Sequence, residues 1–337
     1  MTKKTWTVLE IIDWSRQYLA EKGFENTRLE TELLLGHALS LPRIELYLNY
    51  ARQLSEDELA RYKALLRRRL AGEPVQYVTG TAAFMFAEFE VNPAVLIPRP
   101  ETEALTEVAL KMLAEASGPG QGSGSGQGSG SRQESGGPAS ARAPNGADDS
   151  GPCSGAEVVA ADVGTGSGVI AVTIAQKFPR ARVLATDSSP DALEVAARNA
   201  ARVGVADRVE FLEGSLLEPL RRARLEGRLA LLVSNPPYVA TGEIDSLPRE
   251  VRDFEPRGAL DGGADGLDCL RTMAQDGPAL LAPGGVLALE VGDGQAGSVA
   301  DLLRSALGEA EIRKDYAGRD RIVAGRRGRR GGSEDIG

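Results

Sequence analysis

The chain has 337 residues, 42% hydrophobic and 26% charged, the balance of a soluble globular protein long enough for two domains. Its net charge of −9 disfavours a broad phosphate-binding surface, and no apolar run approaches the ~20 residues that span a bilayer. The single histidine, His37, and two cysteines, Cys153 and Cys269, argue against metal sites and against a Ser-His-Asp mechanism, so reduced thiols and no metal are expected. Met1 to Trp6 leads into an amphipathic pattern rather than a signal peptide, which makes the cytoplasm the expected compartment.

Residues 1–72 read as a small helical docking domain. Three capping boxes punctuate it, Thr7-x-x-Glu10, Thr27-x-x-Glu30 and Ser55-x-x-Glu58, each before a periodic apolar run. Val8, Ile11, Ile12, Ser15 and Leu19 share a face of the first helix, with Gly23 as its stop. Leu29, Leu33 and Leu34 are expected to do the same in the second. Pro42 opens a short helix through Leu46 and Leu48. The last helix carries Leu59, Tyr62, Leu65 and Leu66, and Arg67-Arg68-Arg69 sits where the helix dipole favours cations.

Residues 73–97 change period. Phe84, Phe86 and Glu88–Val91 alternate, which predicts a β-hairpin between domains. Pro100 is a good first helical residue, with Glu101 and Glu103 beside it at the positive end of the dipole. Residues 117–155 are dominated by Gly and Ser and read as a disordered insertion. Residues 326–337 open on Arg326-Arg327-Gly328-Arg329-Arg330 and read as a disordered, charged tail.

From Glu157 the pattern is strand–loop–helix repeated. Strands are predicted over 157–161, 182–186, 208–212, 229–233 and 286–290, helices over 169–178, 190–203 and 268–281, and a helix near 299–307. Pro283-Gly284-Gly285 reads as a turn. Short strands near Ile312 and Ile322-Val323 would form a closing hairpin. Alternating strands and helices predict a doubly wound, mostly parallel α/β sheet over 98–325.

Two loops carry the chemistry. Gly164-Thr165-Gly166-Ser167-Gly168 lets the backbone approach a ligand at a helix N-terminus, and Asp187, at a strand end, suits ribose hydroxyls. Asp162 is read as satisfying loop amides. The spacing G-x-G-x-G weakens a dinucleotide reading, and no Gly-Lys-Ser/Thr follows. The second loop is Ser234-Asn235-Pro236-Pro237-Tyr238. Its prolines end the strand ladder, and Asn235 before a proline is held extended. The Asn235 side-chain oxygen and the Pro236 carbonyl are two adjacent acceptors that suit an NH2 group.

The combination of Asp162–Gly168, Asp187 and Asn235-Pro-Pro-Tyr238 resembles the class I S-adenosylmethionine-dependent methyltransferases that modify amide or exocyclic nitrogens. With the N-terminal helices, the hairpin, Ile97-Pro-Arg-Pro-Glu-Thr-Glu103 and Phe254-Glu-Pro-Arg257, nearly the whole chain is similar to the HemK-type release factor glutamine methyltransferases. That resemblance implies S-adenosyl-L-methionine held by Gly164, Thr165, Gly166, Ser167, Gly168, Asp187, Leu216 and Asn235. Where the family often has an acidic residue and an aromatic near the adenine, this chain has Gly214-Ser215-Leu216. It implies catalysis by Asn235, Pro236 and Tyr238, with Pro237 also touching substrate. Class I peptide chain release factors are the implied partners, with no DNA and no membrane. Alternatives are an adenine-N6 nucleic-acid methyltransferase, a ribosomal-protein glutamine methyltransferase, a nucleoside-binding regulatory module and a nicotinamide dehydrogenase. Pro-Arg-Pro-Glu-Thr-Glu argues against the ribosomal-protein enzyme.

Overall fold

The computed structural model describes residues 5–117 and 158–329, and for Ala116 and Ser117 the backbone alone. Helices α1 (Val8–Glu21), α2 (Thr27–Leu39), α3 (Arg43–Leu48) and α4 (Glu56–Leu70) share one apolar core with Val75 and Val78 of α5 (Val75–Thr79). In α1 the buried residues are Val8, Ile11, Ile12, Ser15 and Leu19, the spacing of one helical face. Thr7 and Ser55 form reciprocal capping boxes with Glu10 and Glu58.

The second helix departs from the sequence reading. Its N-cap is Asn26, without a side-chain cap, and Thr27 is already the first helical residue; Glu30 then falls at the fourth position, one too late for a capping box, and both its oxygens accept from Arg69. Leu29 and Leu33 are exposed, and the buried face runs through Thr31, Leu34, Leu35 and Ala38. Arg69 is not a solvated cation at a helix end. It is buried, pairs with Glu30 and Glu250, and lies 4.2 Å from the Phe24 ring centre. Glu250 belongs to α10 (Arg249–Phe254), so this arginine joins the helical region to the second half of the chain.

The connecting stretch holds more than a hairpin. After α5 come β1 (Thr81–Phe84) and β2 (Ala87–Glu90), paired antiparallel. Phe84 and Phe89 pack edge to face in the core. Phe86, expected on a strand, lies in the turn and is exposed, because Met85 takes a φ of 51° and reverses the chain early. Helix α6 (Pro100–Ser117) follows. It includes Ser117, and the rest of the expected Gly/Ser-rich insertion lies outside the described residues.

Residues 158–326 build β3 (Val158–Val163), α7 (Val169–Lys177), β4 (Ala181–Asp187), α8 (Pro190–Val203), β5 (Val209–Glu213), α9 (Glu218–Arg222) and β6 (Leu229–Ser234), and then, after α10, α11 (Asp268–Asp276), β7 (Leu281–Glu290), α12 (Ala296–Leu307), β8 (Glu311–Lys314) and β9 (Asp320–Arg326). The sheet order is β5-β4-β3-β6-β7-β9-β8. Strands β5 to β7 pair in parallel, and β9 and β8 close the edge antiparallel. Helix α11 stops at Asp276 and a 3₁₀ turn carries the chain to Leu280, because Pro278 cannot donate the next helical bond. Pro283-Gly284-Gly285 lies inside β7 as an irregularity, where Leu229 of β6 pairs with Leu281 and Leu231 with Val286.

The expected tail begins two residues too early. Arg326 is the last residue of β9, opposite Val286, and the Arg327 N–H donates to the Gly285 carbonyl at 2.8 Å. Ladder pairing is made by backbone groups, which a run of charged side chains conceals. Residues 330–337 lie outside the described residues.

The two faces of the sheet separate by the period of two along each strand. Val158 and Ala160, Leu231 and Val233, and Val286 and Ala288 face the core under α6 and α7. Ala161 and Val163, Leu232, and Leu287 and Leu289 face the core under α9, α11 and α12. The same parity sends two carboxylates to the α6–α7 side, Asp162 at the end of β3 and Glu290 at the end of β7.

Candidate active site

Strand β3 pairs with β4 on one side and β6 on the other, so the chain order reverses at its carboxyl end. Open α/β sheets bind ligands at that point. A cavity of ≈ 340 Å³ opens there. It is lined by Gly164, Thr165, Gly166 and Ser167 after β3, by Asp187 at the end of β4, by Leu216 after β5, and by Asn235, Pro236 and Pro237 after β6.

The glycine loop is tied to both carboxylates behind it. The Gly166 N–H donates to Asp187 Oδ2 at 2.9 Å, from a backbone with φ 55° that a side chain adopts only with strain. Asp187 Oδ1 accepts from the Ser189 N–H at 2.9 Å. Both bonds fix the carboxylate at the cavity wall and leave lone pairs on each oxygen for further donors. Asp162 is fully buried. One oxygen accepts from the Thr165 hydroxyl at 2.7 Å and the Ala171 N–H at 3.1 Å, and the other has no partner. Burial pushes its carboxyl up to about 7.

Two of the expected site residues stand apart from the lining. Gly168 caps α7 with φ 82°, and a Cβ there would meet the Ala196 Cβ at 2.9 Å. Its role is the close packing of α7 on α8. Tyr238 is in contact with the core under α11 and α12, and its hydroxyl donates to Glu290 Oε1 at 3.4 Å. Its carbonyl accepts from the Gln295 amide at 2.9 Å, which holds the end of the Asn-Pro-Pro-Tyr turn.

Asn235 is oriented by a chain of hydrogen bonds. Its Nδ2 donates to the Thr102 hydroxyl at 3.0 Å, and that hydroxyl donates to Glu290 Oε2 at 2.8 Å. Among the described residues, nothing donates to Asn235 Oδ1 or to the Pro236 carbonyl. Two residues of the cavity lining, Asn235 and Pro236, thus each carry an acceptor that no donor among the described residues occupies. Among the described residues the lining contains no Lys or Arg, while Asp187 and Asp261 contribute carboxylates. Such a wall favours a cationic or neutral ligand over one that depends on cationic side chains.

Residues 10–80 match the PrmC N-terminal domain, and residues 154–249 match the methyltransferase small domain. A release factor glutamine methyltransferase of Geobacter sulfurreducens is 42% identical over 97% of this chain and all of its own length. Another, of Moorella thermoacetica, is 42% identical over 90% of this chain and 92% of its own. A third, of Chlorobaculum tepidum, is 40% identical over 95% and 97%. The chain belongs to the release factor glutamine methyltransferase family. It is an enzyme of the methyltransferase class, with the α/β sheet and N-terminal helical region expected for it.

Within this family member, several site residues were not foreseen from the sequence. Thr102, in the first turn of α6, and Ala94, Val95, Leu96 and Pro98 before it form one wall of the cavity. Pro256, Gly258 and Ala259 contribute another part. The two family-like stretches that carry them touch: Arg99 pairs with the buried Glu255, which also accepts from the Ile97 N–H at 3.4 Å. Cys269 reaches the lining from α11, and burial raises its thiol. Glu290 is fully buried, and burial pushes its carboxyl up to about 7, with the Thr102 hydrogen bond opposing. A glutamate at the end of an otherwise apolar strand was the available signal. Among the described residues, no group of His, Cys, Asp and Glu could hold a metal ion, and no helix is long and apolar enough to cross a membrane.

Proposed function

We propose that this enzyme transfers a methyl group from S-adenosyl-L-methionine to the side-chain amide nitrogen of the glutamine in the Gly-Gly-Gln loop of class I peptide chain release factors. The observation that carries the reading is the pair of acceptors without a donor among the described residues, Asn235 Oδ1 and the Pro236 carbonyl, on two residues that line the cavity. The cavity suits the cofactor. The Gly164–Ser167 backbone leaves room beside it, Asp187 offers a carboxylate for a ribose diol, and the acidic wall suits a sulfonium and an ammonium group.

S-adenosyl-L-methionine, when bound, supplies an electrophilic methyl group on a sulfonium. The remaining work falls to this chain's residues. An amide nitrogen is a poor nucleophile, because its lone pair is delocalised into the carbonyl. Asn235 Oδ1 and the Pro236 carbonyl would accept its two N–H hydrogens and fix the plane of the amide. As nitrogen gains positive charge, both acceptors bind it more strongly, which is stabilisation specific to the transition state. Pro237 and Tyr238 would stiffen the turn that presents them, Tyr238 by anchoring its ring in the core behind the turn. Leu216, at φ 47°, would supply apolar contact for the adenine. No general base is needed before transfer.

The helical region and hairpin would hold the body of the release factor, supplying binding energy away from the reacting atom. The relatives' names support that substrate class, and translation termination takes place in the cytoplasm. The test is a parallel incubation with labelled S-adenosyl-L-methionine. An intact release factor should take label, a short Gly-Gly-Gln peptide much less, and duplex DNA none. Label on DNA adenine with none on the factor would overturn the reading in favour of the adenine-N6 alternative.

A further inference from the structure

We propose that Thr102 and Glu290 are positioning residues that lock the Asn235 amide with its oxygen toward the substrate. The inference rests on the proposed role of Asn235 as an acceptor. An asparagine amide has a donor end and an acceptor end of nearly the same shape. Rotated by half a turn, it would meet the substrate N–H with an N–H of its own and repel it. Something must choose the end, and the sequence around Asn235 does not.

The hydrogen-bond chain makes the choice. An ionised carboxylate only accepts, so Glu290 Oε2 takes the single proton of the Thr102 hydroxyl, at 2.8 Å. That leaves the Thr102 oxygen able only to accept at its other side, where it takes the Asn235 Nδ2–H at 3.0 Å. Oδ1 is then turned away from Thr102. Each bond in such a chain also polarises the next, so the carboxylate makes Oδ1 a stronger acceptor. Thr102 is itself held, because the Thr106 hydroxyl donates to its carbonyl at 2.8 Å and the turn is buried.

The chain has a direction only while Glu290 is ionised. A protonated carboxyl can donate to Thr102, after which Thr102 can donate to Asn235 and the amide can reverse. The groups that set this proton are few. Burial opposes the charge most, the Thr102 hydroxyl favours it, Glu101 on the same helix turn opposes it, and Arg321 on β9 and the Tyr238 hydroxyl favour it. Arg321 is itself balanced by Asp315 at 3.7 Å.

The experiment compares kcat and KM for an intact release factor, and calorimetric S-adenosyl-L-methionine affinity, in the wild type, Thr102→Val, Thr102→Ser, Glu290→Gln and Asn235→Ala. Thr102→Val keeps the shape and removes the hydroxyl. It should lower kcat about tenfold or more, with KM and cofactor affinity within about twofold. Thr102→Ser should recover to within about threefold of the wild type. Wild-type kcat should rise with pH through a midpoint near 7, and Glu290→Gln should be slower and lose that midpoint. Should Thr102→Val fail to fold, the Glu290→Gln pH profile decides. Wild-type kcat in Thr102→Val, no rescue by Ser, or an unchanged pH midpoint in Glu290→Gln would overturn the proposal. If Asn235→Ala is inactive while Thr102→Val is normal, only this inference fails. If Asn235→Ala is itself normal, the acceptor role fails and the positioning role with it.

Discussion

Glu32 in the helical region and Glu290 at the end of β7 are equally well buried, at 1% and 0% exposed, and their surroundings shift them in opposite directions. Burial pushes Glu32 up, but Arg28, Tyr47 and Arg43 all bond to it, and the balance holds it below the usual carboxylate range. Among the described residues no ion pair reaches Glu290, Asp162 or Asp187. They are held by hydroxyls and backbone N–H groups instead. A buried carboxylate with a cation is arranged for cohesion, since breaking one partner leaves an uncompensated charge. One without a paired cation holds its proton more tightly, as Asp162 and Glu290 do. The helical region and the strand ends thus hold the same chemical group differently, with arginine partners in one and with hydroxyls and backbone N–H groups in the other.

The largest expected effect separates the two regions at the reacting atom. Asn235→Ala should lower kcat by on the order of 10²-fold or more while S-adenosyl-L-methionine still binds, because the lost acceptor acts mainly in the transition state. A near-normal kcat would remove Asn235 from catalysis. Arg69→Ala probes the cohesive side. It would leave Glu30 half-enclosed without a partner and untie α10, costing on the order of 3 kcal/mol of stability, read as a lower urea midpoint. The reaction rate of the surviving folded enzyme should change little, and an unchanged midpoint would show that the ion cluster does not hold the regions together.

Asp187→Ala returns to the site with a smaller effect. Cofactor affinity should fall about tenfold, the loss of a charge-assisted hydrogen bond, and calorimetry showing no change would take Asp187 out of the site. The last effect is a pH slope. Glu290, raised from 4.5 to about 7, is protonated in the folded chain where the unfolded chain has already released the proton. Its contribution is therefore full below about 4.5 and is lost as pH rises through about 7. Glu32 has the opposite sign, with its contribution present above about 4.5 and lost as pH falls below that. Urea midpoints across this range should show Glu290→Gln flattening the neutral side and Glu32→Gln flattening the acid side. Equal behaviour of the two variants would break the comparison.

Much of this was legible before any coordinates. The alternation of apolar runs with turns located β3, β4, β5 and β6 to within a residue or two; β3 and β6, inside the sheet, are nearly continuously apolar because both their faces are buried. The span 190–203 of α8 could be read because Pro190 starts it and Gly204 stops it. The two site loops could be read because strand ends carry the chemistry of open sheets. What stayed hidden was pairing across distance. Nothing local says that Glu30 binds Arg69, that Arg99 meets Glu255, or that Thr102 and Glu290, 188 positions apart, share a hydrogen bond. Tyr238 stands beside its motif in sequence but packs behind it in space, because the turn directs its ring to the core.

The most direct measurement is tandem mass spectrometry of a class I release factor after incubation with the enzyme and S-adenosyl-L-methionine. The account predicts one added methyl group on the side-chain amide of the Gly-Gly-Gln glutamine, and none on a factor with that glutamine replaced by alanine. A methyl group on another residue, or equal modification of the alanine variant, would contradict it.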